Sequence, residues 1–392
     1  MPATNSPTAW RLVSLLDDRF GSRADKPVVV RAPGRVNIIC EHTDYNSGFV
    51  LPAAVDRAVL IAGRPQPGRT ISAYAGTLDK SDTWEPGAPK PEQRWMRYIA
   101  GVATALLDRG AAIPGVELTI ASDVPVGGGM SSSAALCVGA ALLLANLADF
   151  PLDGITAAQI AQWSESEFVG IRVGIMDPYA ARNGKEDHAL LLDCRTLTHE
   201  LVPLPVGMVL GVCDTGVRRQ LASSGYNDRR RSCEEAIALL RPHLGGIRTL
   251  RDVDPGWLDE YKLFLPETLY RRARHVVTEN KRTLEAAGAL RAGNLQAAGA
   301  LVRASHASLR DDYEVSSKEL DAMAESANAA PGCFGARMMG GGFGGCAIAL
   351  VAEREWEAFA DATAAAYRTR TGKEATIYRC RATDGASVMP RA

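Results

Sequence analysis

The sequence predicts a two-domain protein in which β-strands and α-helices are mixed along the chain. Its 392 residues exceed what one hydrophobic core usually holds. Strand-like and helix-like segments follow one another without a fixed repeat period, heptads or a low-complexity tract. The proline-flanked stretch at 203–205 is the best place for a boundary, which gives predicted domains 1–203 and 204–392.

The apolar patterns justify the elements in order. A short amphipathic helix at 8–20 precedes the first strand, and a Pro- and charge-rich loop at 86–93 separates the early strands from the first long helix. The predicted strands are 28–39, 55–63, 69–75, 116–122, 189–193, 208–214, 346–352 and 374–380. The predicted helices are 95–107, 131–147, 157–168, 225–241, 270–301 and 355–371. Strand 116–122 alternates apolar and polar residues, so we expect it to be half-buried.

Composition excludes several classes of protein. The formal net charge of −1 argues against a nucleic-acid-binding or membrane-surface protein that works by bulk charge. The longest uncharged apolar run, at 134–145, is too short to cross a bilayer, and the N-terminus lacks a signal-peptide pattern. The eight cysteines form no C-x-x-C pair, which favours buried thiols in a reducing compartment. We therefore expect a cytoplasmic protein, and no obligate protein partner is evident.

The segment GRVNIICEHTDYNSGFVLP at 34–52 concentrates polar groups beside an apolar run. Its polar side chains are Arg35, Asn37, Glu41, His42, Asp44 and Asn46. Each must find a hydrogen bond, because burial of an unpaired polar group costs free energy. The segment is therefore either a satisfied polar turn or a site where donors and acceptors converge on a small polar ligand.

A second segment, DVPVGGGMSSSAALCVGAALLL at 123–144, places three glycines and three serines between a strand and a helix. Glycines let the backbone approach a ligand, and a helix N-terminus offers free N–H groups and a positive dipole end. This pattern is typical of a phosphate site, to which serine hydroxyls can add hydrogen bonds or a magnesium ligand. The alternative is a Gly/Ser turn that caps the helix. The sequence has neither a Walker P-loop nor the protein-kinase motifs.

A third segment, GARMMGGGFGG at 335–345, contains six glycines. A flexible loop would explain some of them. So many glycines indicate instead a close approach of backbone to backbone or to a ligand.

Together, in this order, the three segments resemble the motifs of the GHMP small-molecule kinases, and most closely those of the galactokinases. Here Cys40 and Ser47 replace glycines of the first motif, and Met339 replaces a threonine of the third. Other galactokinase-like stretches include EFVGIRVGIMD, SSGYNDRRRSCEEA and HASLRDDYEVSSKELD, so the resemblance covers about residues 26–386. It implies an N-terminal α/β domain and a C-terminal α+β domain with the active site in the cleft between them.

The resemblance also implies an activity, which is ATP-dependent phosphorylation of galactose at its C1 hydroxyl. Asp177 matches the catalytic aspartate that accepts the hydroxyl proton, and Arg35 matches the arginine that pairs with it and with the transferring phosphoryl group. Pro178 stands where galactokinases have glutamine. The Asp-Pro pair predicts that Asp177 is a helix N-cap.

The remaining implied residues fall into three groups. The sugar-binding set is Glu41, His42, Asp44, Tyr226 and the backbone of Gly174. The ATP-binding set is Trp95, Gly127, Gly128, Gly129, Ser131, Ser132 and Ser133. Magnesium is assigned to Glu165 and Ser132. Trp95 could equally be a core residue. Cys40 adds a side chain directly before Glu41, so we expect any narrowing of the sugar pocket there.

Two other functions are compatible with these motifs. The same chemistry could act on another sugar, such as N-acetylgalactosamine. A catalytically silent sugar and ATP sensor is disfavoured because the serines at 131–133, Ala134 and Asp177 are intact.

Overall fold

The structure is a computed structural model that describes residues 8–24, 26–125, 128–217 and 222–390, with residues 222–224 described by their backbone alone. The helices are α1 (Ala9–Phe20), α2 (Arg94–Leu107), α3 (Ser132–Leu147), α4 (Gly154–Trp163), α5 (Met176–Asn183), α6 (Ala222–Leu240), α7 (Pro255–Glu260), α8 (Glu267–Arg291), α9 (Leu295–Asp311), α10 (Lys318–Ala329) and α11 (Trp356–Thr371). The strands are β1 (Val28–Asn37), β2 (Phe49–Val50), β3 (Pro52–Gln66), β4 (Ile71–Ala75), β5 (Lys80–Trp84), β6 (Gly115–Ser122), β7 (His188–Asp193), β8 (Thr198–Pro203), β9 (Met208–Asp214), β10 (Cys333–Met339), β11 (Cys346–Ala352), β12 (Thr376–Cys380) and β13 (Ser387–Val388). A π-helical turn, Ser164–Phe168, extends α4.

The first part of the chain is built on a six-stranded sheet in the order β13-β1-β3-β6-β4-β5. Its pairs are antiparallel except β4 with β6. Helix α3 is apolar and buried almost all round, and it packs against β1 and β3. A helix without a polar face is stable only when it is enclosed on every side, so α3 holds its N-terminal serines firmly against the sheet.

Two smaller sheets complete the fold. Strands β2, β7 and β8 form a three-stranded sheet, and β10, β11, β9 and β12 form a four-stranded sheet in that order. The largest apolar core connects all three sheets, because it contains Ile61 of β3, Leu191 of β7 and Leu210 of β9. Among the described residues, no helix has both the length and the apolar composition to cross a membrane.

The predicted elements agree with the structure in kind and differ in detail. The predicted helix at 270–301 is two helices, α8 and α9, which are separated at Gly293 where φ is 68°. The expectation of a half-buried strand at 116–122 was wrong, since residues 115–120 of β6 are buried. Both faces of this central strand are covered, which an alternating pattern does not predict.

The predicted boundary at 203 falls between β8 and β9, but the end of the chain crosses back over it. Strand β13 pairs with β1, with Val388 opposite Val30, and Ala382 bridges to Val55. The division into 1–203 and 204–392 stays a prediction. The six-stranded sheet takes its last strand from the C-terminal part.

Candidate active site

An ion pair between Arg35 and Asp177 lies at the centre of the site. The pairing of β1 with β3 shifts register between Pro33 and Arg35, and such a bulge re-aims the side chain that follows it. Arg35 is 4% exposed. Its Nε donates to Asp177 Oδ1 at 2.7 Å, and its Nη1 donates to the Gly129 carbonyl at 2.6 Å. The arginine therefore joins the carboxylate to the glycine-rich loop.

Asp177 lies inside the first turn of α5 and is not its N-cap. The helix begins at Met176 and its N-cap position is Ile175, so the prediction of an Asp177 cap was wrong. The carboxylate points instead to the site, where it is bound by the side chains of Arg35 and Ser131. An aspartate in a first helical turn still benefits from the dipole. Tertiary partners thus outweigh the local capping preference.

The glycine-rich loop is fixed from two sides. Gly129 accepts a hydrogen bond from Arg35, and the Gly128 carbonyl accepts one from the Cys346 thiol at 2.6 Å. Cys346 follows the third glycine-rich motif, so the second and third motifs are in contact. Gly127 lies outside the described residues. The N-terminal serines of α3 are therefore held at a fixed place beside Asp177.

Glu165 lies in the π-helical turn and is 4% exposed. Ser133 Oγ donates to Glu165 Oε2 at 2.8 Å. Burial raises the pKa of Glu165 to about 7, against the opposing effect of the Ser133 hydrogen bond. The structure thus pairs Glu165 with Ser133. Ser132, which was predicted as the metal ligand, is the first residue of α3.

Asp44 and Gly174 are packed directly together. Asp44 begins a single 3₁₀ turn, Asp44–Asn46, and a Cβ added to Gly174 would lie 1.4 Å from Asp44 Oδ2. Only glycine fits beside this carboxylate. Burial, with the charge of Asp177 as the next contribution, raises the pKa of Asp44 to about 7. A cleft of about 260 Å³ opens beside both residues.

His42 lies in a group of aromatic rings at the same end of the site. Its ring centroid is 5.4 Å from that of Tyr226 and 4.8 Å from that of Tyr313. The Tyr45 hydroxyl is 2.9 Å from His42 Nδ1. The structure therefore brings His42 and Tyr226 together as predicted, and adds Tyr45 and Tyr313, to which the sequence gave no role.

Glu41 is held by the third motif. Its Oε1 accepts a hydrogen bond from the Gly340 N–H at 2.7 Å and one from Arg337 at 3.2 Å. Arg337 is fully buried and also donates to the carbonyls of Asn37 and Ile38. Sequence reasoning missed Arg337. Its place in a strand that leads into a glycine cluster was the available signal.

Helix α8 holds the first motif from the other side. His275, Glu279 and Asn280 are buried on this helix and contact the Glu41 carbonyl, the Cys40 N–H and the Phe49 N–H, respectively. Burial lowers the pKa of His275 to about 4, so this imidazole is neutral. The sequence predicted a helix here but no link to the site. Polar residues on a buried face give no apolar periodicity, so their contacts could not be recognised from the pattern.

Both replacements of glycine in the first motif adopt the left-handed conformation. Cys40 has φ 88° and Ser47 has φ 56°, a region that favours glycine. The Cys40 thiol is fully buried, contacts Thr43 Oγ1 at 2.7 Å and belongs to an apolar cluster with Val50 and Tyr179. The Cys40 side chain therefore faces the core, and it does not produce the narrowing for which the sequence marked this position.

Trp95 lies at the start of α2, where it is half-buried against the main core. This position agrees with the core alternative as well as with an adenine neighbour, so the ATP assignment stays a prediction. A larger depression of about 440 Å³ at 82–92 contains none of the predicted site residues. The polar residues of the candidate site converge elsewhere, around Arg35 and Asp177.

Comparison with known proteins identifies the family. Residues 16–65 match the galactokinase galactose-binding signature, 97–185 the GHMP kinases N terminal domain and 286–368 the GHMP kinases C terminal region. The galactokinase of Roseiflexus sp. (strain RS-1) is 47% identical over 359 residues, which are 91% of this chain and 92% of that protein. The galactokinase of Chloroflexus aurantiacus is 48% identical over 92% of this chain and 93% of its own.

Solved structures agree with the sequence matches. The crystal structure of Lactococcus lactis galactokinase complexed with galactose has a TM-score of 0.92 and 35% identity, and it covers 96% of this chain and 98% of its own. Mevalonate kinase of L. major shares the fold alone, with a TM-score of 0.62 at 18% identity, over 93% of this chain and 98% of its own. The predicted GHMP kinase fold is confirmed. The chain belongs to the galactokinase family of the GHMP kinases.

Proposed function

We propose that the protein is a cytoplasmic galactokinase that transfers the γ-phosphoryl group of ATP to the C1 hydroxyl of galactose. The observation that carries the proposal is the Arg35–Asp177 ion pair, at 2.7 Å, which Ser131 joins by a hydrogen bond. The charge of Asp177 also raises the pKa of Asp44, so the two carboxylates are near each other. Phosphoryl transfer needs positioning, charge neutralisation and an acceptor for the hydroxyl proton. This pair can supply all three where the two substrates meet.

Asp177 is the proposed acceptor of the C1 hydroxyl proton. The hydroxyl oxygen attacks the γ-phosphorus, its proton passes to the carboxylate, and ADP leaves. Arg35 fixes the carboxylate and places a positive charge beside the transferring group. The hydrogen bond from Ser131 orients the other carboxylate oxygen, so the base needs little rearrangement when the sugar binds.

Glu41, His42, Asp44, Tyr226 and the Gly174 backbone are the proposed galactose contacts. Asp44 is half-buried and has a raised pKa, which indicates that the protein gives its charge few partners. Paired sugar hydroxyls would donate to this carboxylate and stabilise the ionised form. An epimer that presented a hydroxyl elsewhere would leave the carboxylate without these donors, which is how the site would discriminate.

The proposed ATP site is the N-terminus of α3 with the glycine-rich loop, and Trp95 beside the adenine. Glu165 is a suitable ligand for a magnesium ion. It is a buried oxygen donor whose pKa of about 7 would fall beside a cation. Magnesium takes few protein ligands, and the described residues contain no cluster of three or more metal-binding groups. Glu165 and Ser132, or Ser133 in its place, would hold the ion, which neutralises phosphate charge.

The test is an assay of the purified protein with magnesium, ATP and a panel of sugars that includes N-acetylgalactosamine. We expect ADP and a C1 phosphate, with kcat/KM highest for galactose. Asp177→Ala should lower kcat by about 10²–10⁴-fold, the usual contribution of a positioned base, while galactose still binds. Asp18→Ala, at an exposed position on α1, is the control. Full activity of Asp177→Ala would remove the assigned role.

A further inference from the structure

We propose that Tyr45 and Tyr313 are positioning residues that fix the tautomer and ring orientation of His42 through a chain of hydroxyl hydrogen bonds. The inference deepens the proposed function, since His42 is a proposed galactose contact. Neither tyrosine belongs to the sugar-binding set. Tyr313 lies in the stretch HASLRDDYEVSSKELD, for which the sequence gave no chemistry.

The chain of contacts runs from the imidazole into the protein. His42 Nδ1 is 2.9 Å from the Tyr45 hydroxyl, which is 2.7 Å from the Tyr313 hydroxyl. That hydroxyl is 3.3 Å from the Cys233 thiol. Asn46 Nδ2 donates to the same sulfur at 3.5 Å and to the His42 carbonyl at 3.0 Å. The chain therefore starts and ends at His42.

The donors in this chain have a preferred direction. The Asn46 amide nitrogen can only donate, so the Cys233 sulfur accepts there and its S–H is free to donate to Tyr313. Tyr313 then donates to Tyr45, and Tyr45 donates to His42 Nδ1. The reverse direction would place two donors on a weakly accepting sulfur, while the imidazole nitrogen, the strongest acceptor in the series, would accept no hydrogen bond from Tyr45. With Nδ1 as an acceptor, the imidazole proton is on Nε2.

Packing holds this series of hydrogen-bonded side chains in place. Tyr313 is fully buried, and its ring lies 4.8 Å from that of His42 and 4.6 Å from that of His275. Its carbonyl accepts a hydrogen bond from Arg229 at 2.6 Å. Burial raises the pKa of both Tyr45 and Tyr313 well above the usual range, so both hydroxyls keep their protons and can donate at any physiological pH.

The positioning role predicts a specific kinetic pattern. A neutral His42 with its proton on Nε2 presents a donor of fixed direction to a sugar hydroxyl. Loss of the Tyr313 hydroxyl should loosen the ring and mix the two tautomers, which weakens sugar binding and leaves the ATP site unchanged. One hydrogen bond contributes about 1 kcal/mol, so the effect should be about 5–10-fold.

The experiment compares Tyr313→Phe, Tyr45→Phe and the double variant. We expect the galactose KM and the calorimetric Kd to rise about 5–10-fold in each single variant, with kcat within about twofold and the ATP KM unchanged. Because both residues act through one chain, the double variant should be no weaker than Tyr45→Phe alone. Tyr74→Phe is the control. Tyr74 lies on β4 and its hydroxyl also takes part in two hydrogen bonds, with Asp79 and Arg19, neither of them with His42.

A second measurement reads the tautomer without turnover. Nitrogen-15 NMR of histidine-labelled protein, with His42 assigned from His42→Asn, should show the Nε2–H tautomer in the wild type and a mixture in Tyr313→Phe. An unchanged tautomer, additive losses in the double variant, or a parallel loss of kcat and both KM values would overturn the proposal. Absence of galactose kinase activity would refute the proposed function. The His42 tautomer would still test the positioning role of the two tyrosines, because its measurement needs no turnover.

Discussion

The carboxylates of half-buried Asp44 and buried Glu165 destabilise the folded protein when no ligand is bound. Burial raises the pKa of each to about 7. Unfolded carboxyls ionise near pH 4, so between about pH 4 and pH 7 the folded state binds more protons than the unfolded state. The free energy of unfolding therefore falls as pH rises through this window, and above it the loss is complete.

This linkage makes Asp44→Asn a stabilising substitution that abolishes function. An amide removes this charge, so we expect the thermal midpoint to rise by about 1 °C or more at pH 8, which corresponds to a gain of about 1 kcal/mol in a chain of this size. The gain should shrink toward pH 5, where Asp44 is already protonated in the folded state. Galactose binding should be lost. An equal gain at pH 5 and pH 8 would contradict the assigned pKa.

At single residues, the motifs named side chains that the structure brings together, whereas features decided by tertiary contacts were not predictable. The resemblance pointed to Arg35 with Asp177 and to Asp44 with Gly174, and the structure brings each pair together. The direction of the Cys40 side chain could not be predicted, because a positive φ turns the thiol toward the core. The roles of these residues remain proposals that only assays can test.

At the level of elements, α8 supports the first motif, residues 34–52. Asn280 Oδ1 accepts the Phe49 N–H at 2.9 Å, and a Cβ on the adjacent Gly48 would lie 2.4 Å from that oxygen. The helix and the loop are therefore in contact without space between them. The sequence predicted α8 as a helix, but a buried polar face that holds a loop leaves no periodic signal to find.

Two glycine substitutions distinguish the effect of overpacking at this contact from the effect of alanine on helix stability. Gly48→Ala should lower the thermal midpoint and raise the galactose KM several-fold, since its methyl group would displace Asn280 or Thr43. Overpacking of this kind destabilises by about 1–3 kcal/mol. Gly288→Ala is the matched variant: it lies in α8 with no atom near the added Cβ, and it should stabilise by about 0.5–1 kcal/mol. Differential scanning calorimetry would measure both, and a stable Gly48→Ala would refute the tight contact.

For the whole molecule, the sheet that carries Arg35 is completed by the far end of the chain. Strand β13 pairs with β1, the Met389 N–H donates to the Val29 carbonyl at 2.8 Å, and Ala382 and Ala386 are buried in the main core. No local pattern predicts this, because two residues of strand do not make a periodic signal. The fold family was predictable from the sequence, whereas this closure was not.

Truncation after Arg381 should therefore damage the N-terminal sheet. We expect the thermal midpoint to fall by about 3 °C or more, since 1 kcal/mol shifts the midpoint of a chain of this length by about 1 °C. Activity should fall with it, because β1 carries Arg35. Val388→Ala, at a side chain that is 41% exposed, keeps the backbone pairing and should lie within about 0.5 kcal/mol of the wild type. A truncated protein as stable as Val388→Ala would show that β13 is dispensable.

The return of β13 also constrains how the protein is made on the ribosome. Strand β1 is synthesised early, but its partner β13 leaves the exit tunnel only after β9–β12 of the four-stranded sheet. Until then β1 has an unpaired edge, which can pair with another nascent chain. The six-stranded sheet is therefore completed late in synthesis, after the strands of the four-stranded sheet have been made.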